Sequence, residues 1–121
     1  MAEYFEIEAT DFYLEPDATL NCAGRGSVSK VPGSGLDSPL GGSGAGQATV
    51  GGSSKGKAGG GVYNSLYEPT LTGASGGSGP GGTGSRGGGK MRINVGYAFI
   101  LDGFLRADAA NADANTGLYF I

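Results

Sequence analysis

Two carboxylates, Glu6 and Glu8, sit two residues apart in the run Tyr4-Phe5-Glu6-Ile7-Glu8-Ala9. On a strand they share one face at about 7 Å, a spacing that would suit the acid and nucleophile of a glycosidase. They are also the polar half of an alternating segment, and solvated outward carboxylates are the commoner arrangement. Oxygen donors recur at Asp108, Asn111, Asp113 and Asn115, a calcium-like set within eight residues. Their order matches neither an EF-hand loop nor a GGxGxD nonapeptide, and Asn and Asp are ordinary turn residues. The lysines of Ser53-Ser54-Lys55-Gly56-Lys57 lie among glycines, but there is no GxxxxGK[ST] and no following helix to turn its N-terminus on a phosphate. The chain has no histidine, which removes the commonest general base and metal ligand together. Its one cysteine, Cys22, rules out an internal disulfide and reads as a small buried residue. The expectation is therefore no enzyme, no metal and no cofactor.

The elements that would carry these groups fall into blocks. Of the 27 glycines, 24 lie between Gly24 and Gly89. This 24–89 insert separates a strand block, 4–23, from a second, 90–110, and a short terminal strand is expected over 117–121. In the first block Phe5, Ile7 and Ala9 alternate with Glu6 and Glu8, Phe12 and Leu14 follow after a break at Thr10-Asp11, and Pro16-Asp17 is turn chemistry before Leu20 and Cys22. The second block runs Met91, Ile93, Val95, then Phe99 to Leu101, a turn at Asp102-Gly103, and Leu105 with Ala107. Placing Ile7 on Ile93 matches Ala9 to Val95, Tyr13 to Phe99 and Leu14 to Ile100. One deletion at the turn then matches Leu20 to Leu105 and Cys22 to Ala107.

Two blocks in the same order read as an internal repeat, and coils with turns of very different length suggest a parallel β-solenoid. The fold class expected is all-β: a short parallel β-solenoid-like unit with a long glycine-rich excursion. Stacking would bring Glu6 beside Arg92. An antiparallel sandwich with one disordered loop is the competing architecture.

Within the insert, glycine recurs every third residue at Gly73, Gly76, Gly79 and Gly82, and at Gly81, Gly84 and Gly87. A period of three suits polyproline-II-type helices, here of polyglycine-II kind, which can satisfy their backbone groups by bonding to one another. Gln47 to Val50 interrupt the period, and a plain Gly/Ser linker is the bland reading. The aromatic island at Val62–Pro69 argues against a linker, and Tyr63, Leu66 and Tyr67 are expected to anchor the excursion on the strands.

Several stretches together, Ala18 to Gly26, Val62-Tyr63-Asn64-Ser65 and Gly87 to Leu105, carry a resemblance to glycine-rich β-solenoid repeats of very large extracellular proteins from protists and invertebrates. The resemblance implies a secreted structural protein of stacked units, extracellular, with no catalytic residues. A looser likeness extends to glycine-rich antifreeze bundles and to phage tail-fibre adhesin tips.

The net charge of −3 with scattered Lys and Arg disfavours nucleic acid, and no segment approaches the 18 apolar residues of a membrane span. The opening MAEYFEIEA lacks the basic and apolar regions of a signal peptide, and the closing GLYFI reads as mid-strand, which suggests a piece of a longer chain. The function expected is a filament or appendage subunit that is its own partner, joining head to tail by strand addition. Its interface would use Tyr4, Phe5 and Ile7 at one end and Leu118, Tyr119, Phe120 and Ile121 at the other. The alternative is a binding module, an adhesin tip for an extracellular glycan or an ice-binding face, although the threonines show no period.

Overall fold

A computed structural model of the chain describes residues 3–110; the expected strand 117–121 and the calcium candidates Asn111, Asp113 and Asn115 lie outside them. The described residues form an all-β structure without a helix: β1 (Tyr4–Leu14), β2 (Thr19–Asn21), β3 (Lys90–Leu101) and β4 (Phe104–Arg106). β1 pairs with β3 and β2 with β4, both in parallel, giving two small two-stranded sheets. Parallel pairing excludes the antiparallel sandwich.

The second strand block lies on the first. Ile7 pairs with Ile93, Ala9 with Val95 and Leu20 with Leu105, as matching of the apolar positions predicts. Cys22 N then donates to Arg106 O at 2.8 Å and Gly24 N to Asp108 O at 2.9 Å, which carries the stacking past the strands. The Tyr13–Phe99 and Leu14–Ile100 matches are one residue out. Tyr13 pairs with Ile100 and Leu14 with Leu101, because the register shifts after Ala9. Thr10 alone faces the two residues Gly96 and Tyr97, a bulge that sequence matching at a constant offset has no way to register. The phase of the apolar side chains moves with it, from Phe5, Ile7 and Ala9 to Phe12 and Leu14. Thr10-Asp11 is therefore not a break; β1 runs through it.

The turn of the first block is closed by Ala18 N on Glu15 O at 3.1 Å, with Asp17 left-handed at φ 68°, a conformation that Asp tolerates better than most residues. The second turn is shorter and lies against it: a Cβ at Gly103 would be 2.3 Å from Ala18 O.

Residues 24–89 leave beside β2 and return beside β1, with Gly89 N donating to Cys22 O at 2.8 Å and Lys90 N to Glu3 O at 2.9 Å. Between those points the backbone bonds to itself at every third residue. Gly73, Gly76 and Gly79 donate to Gly88, Ser85 and Gly82, running antiparallel. Gly35 and Ser38 donate to Ser75 and Ser78, running parallel. Gly51 and Ser54 donate to Gly60 and Lys57, and Ser43 and Gly46 to Leu36 and Gly33. Segment 41–46 consequently has four bonded neighbours: 33–38, 49–54, 57–61 through Gly60 N on Gly44 O, and 73–79 through Gly77 N on Ser43 O. A β-strand directs its peptide groups to two sides only and can have two such neighbours.

This network, and not the strands, holds most of the buried residues. They are Leu14, Cys22 and Ala74, three serines, and Gly26, Gly33, Gly35, Gly46, Gly60 and Gly87. Close approach of backbone to backbone is the reason glycine is required: a Cβ at Gly60 would be 2.0 Å from Gly33 O. The buried serines bond as well as fill. Ser43 Oγ accepts from Leu36 N at 2.8 Å, and Ser34 Oγ from Val31 N at 3.0 Å. Outside, most of the valine and leucine side chains of the insert are exposed, Val28, Leu40 and Val50 among them.

Candidate assembly surface

The longer of the two sheets, β1–β3, is a candidate assembly surface. Among the described residues these strands pair only with each other, so each presents one outer edge of N–H and C=O groups. Parallel sheets normally have both faces covered and more than two strands. Here Phe5, Ile7 and Ala9 on β1 and Met91, Ile93 and Val95 on β3 form a row that is only half buried.

On the opposite side of the sheet the two strands carry complementary charge. Glu6 pairs with Arg92 at 3.2 Å, as stacking of the blocks predicts, and Tyr4 donates to Glu6 at 2.6 Å. Lys90 Nζ stands 4.6 Å over the Tyr4 ring, a cation–π contact. The hydrogen bond to Glu6 raises the Tyr4 phenol above its ordinary pKa, as the bond to Asp102 does for Tyr13. Further along, the Phe12 and Phe99 rings stack at 5.3 Å. Three of these contacts, Tyr4 with Lys90, Glu6 with Arg92 and Phe12 with Phe99, join a residue of β1 to its register partner on β3.

The predicted site residues divide as follows. Tyr4, Phe5 and Ile7 all lie on β1, while Leu118, Tyr119, Phe120 and Ile121 are outside the described residues. Within the island, Tyr63 lies against Gly33 and its hydroxyl donates to Thr72 O, so its contacts are with the insert itself. Burial raises its pKa. Leu66 and Tyr67 are 69% and 94% exposed and are not buried on the strands. Asn64 organises that loop instead, with Oδ1 accepting from Thr70 N at 3.0 Å and Nδ2 donating to Leu71 O at 2.9 Å. An Asn opening a loop is a signal the aromatic residues overshadow.

Asp108 pairs with Arg106 at 3.1 Å. Among the described residues no three His, Cys, Asp or Glu side chains gather where a metal could sit. Glu6 and Glu8 remain on the outward face of β1, with Glu6 committed to Arg92. Cys22 is buried, and burial pushes its thiol up, away from the reactive thiolate. No described helix is long and apolar enough to cross a membrane. No protein-family model matches the chain, and neither a curated protein nor a solved structure does.

Proposed function

We propose that the chain is a structural subunit: two turns of a parallel β-solenoid, from which a bundle of polyproline-II-type segments projects. It would assemble head to tail into an extracellular filament. The observation that carries this reading is the in-register parallel stacking of β1 on β3 with both outer edges unpaired among the described residues. A repeat that has stacked once has the geometry to stack again, and a head-to-tail contact of unlike edges gives an open filament when its rotation does not close. The hydrogen bonds at every third residue and the four neighbours of segment 41–46 support the bundle, since three residues per turn direct peptide groups to more than two sides.

Electron microscopy of the purified chain over a range of concentrations tests the polymer. Two β-turns of solenoid per subunit should give filaments with an axial rise of about 9–10 Å, twice the strand spacing. Monodisperse particles at every concentration would overturn it. In that event the exposed Leu40, Leu66 and Tyr67 of the bundle favour the second reading, an adhesin-type binding module.

A further inference from the structure

We infer that the outer edge of β3 receives β1 of a second copy, in the same register that β1 and β3 use within the chain. This inference rests on the polymer reading above and names the contact that would produce it. The expected terminal strand 117–121 is not needed for it.

Three observations select this contact over the alternatives. The first is charge. β1 presents Glu6 and Glu8 on its outward side chains, and β3 presents Lys90 and Arg92. A β1 strand arriving on β3 would set its Glu6 beside Arg92, which already meets the Glu6 of its own chain at 3.2 Å. Carboxylate and guanidinium would then alternate along the stack. Two β1 edges paired antiparallel about a twofold axis would instead bring Glu6 and Glu8 of one copy against those of the other, and facing like charges destabilise a pair of strands.

The second is the apolar row. Two β1 edges can also pair in parallel, about a twofold axis along the strands, but that operation turns one sheet over. Phe5, Ile7 and Ala9 of the two copies would then lie on opposite faces. Of these two parallel pairings, β1 on β3 is the one that continues the row of Ile7 on Ile93 and Ala9 on Val95 across the joint.

The third is shape. The bulge opposite Thr10 and the phase change after Ala9 make the path of the strands irregular. β1 already follows that path against β3 on one side. A strand of unrelated path would lose register at the bulge, whereas a second β1 meets the same irregularity with the same sequence. Past it, Phe12 of the incoming copy would extend the Phe12–Phe99 ring stack.

The test uses two full-length chains, one carrying Glu8→Cys and the other Asn94→Cys. These residues are register partners inside the chain and both are exposed, so neither substitution enters the core. Neighbouring strands place Cα atoms at a separation a disulfide can span, and Cys22, 2% exposed, stays out of reach. Under mild oxidation the mixture should give a disulfide dimer joining position 8 to position 94. Each chain alone should give several-fold less dimer. The Tyr13→Cys and Ile100→Cys chains, also exposed register partners, provide a second pair that leaves Glu6 and Arg92 in place.

Dimers joining position 8 to position 8 would overturn the contact in favour of paired β1 edges. Filaments visible by microscopy without a link between 8 and 94, or between 13 and 100, would overturn it while leaving the polymer standing. Linked dimers without filaments at any concentration would uphold the contact and sink the polymer.

Discussion

Whether a glycine in this chain can be replaced depends on where its missing side chain would point. At Gly60 a Cβ would meet the Gly33 carbonyl oxygen at 2.0 Å, backbone that has no rotamer to move aside. Gly60→Ala should therefore cost about 1–3 kcal/mol through overpacking. At Gly52 nothing lies within 4 Å, and Gly52→Ala should raise stability by about 0.4–1 kcal/mol by restricting the unfolded chain. Denaturant midpoints of the two variants should thus move in opposite directions, and equal midpoints would show that Gly60 is not at a backbone contact. The sequence does not distinguish these glycines. Both sit in Gly-rich runs, and Gly60 is packed against Gly33 and Gly46, which lie 27 and 14 positions away.

Between elements, the stacking of β1 with β3 and of β2 with β4 was legible because apolar side chains recur in the same order in both blocks. The bulge was not, since Gly96 and Tyr97 add a residue without disturbing that order. The bonding of one glycine segment to another was legible as a period of three, but not which segment met which. Asp37 is one of the side chains that decides it. Its carboxylate accepts from Ser78 N at 2.6 Å and pairs with Lys30 at 2.9 Å, joining the 33–38 and 73–79 segments. The Ser78 N–H, then Lys30, hold its pKa below the ordinary 3.8. A carboxyl depressed in the folded state contributes stability that is present above the unfolded value, and this is lost as pH falls through the folded value. Asp37→Asn should therefore melt below the parent at neutral pH, with the gap narrowing once pH drops under about 4. A gap constant down to pH 2 would mean that ionisation of Asp37 does not join the segments.

At the scale of the molecule, apolar side chains and burial have been separated. The alternating apolar residues of the strand blocks are of the kind that bury one face of a strand. Instead, most of the strands' apolar row is half exposed, and the buried centre consists largely of glycine and serine. Two-stranded parallel sheets gain little from one another, and it is the peptide groups of the insert that find the most partners. The composition carried this in plain view as a glycine excess, but a glycine excess also describes a linker. What separates the two is a three-dimensional property, the number of neighbours each segment bonds.

A centre made of peptide groups has a thermal consequence. On unfolding, exposed apolar surface raises the heat capacity by about 0.45 cal/mol/K per Å², whereas exposed polar surface lowers it by about 0.26. Most folded domains show a net increase of about 12–15 cal/mol/K per residue, and that increase bends their stability into a dome over temperature. The buried centre of this chain would release amides and hydroxyls in place of leucines, so scanning calorimetry should find an increment well below that range. The dome would flatten. Such a fold would give up little of its stability near freezing, where the hydrophobic contribution to an ordinary core fades.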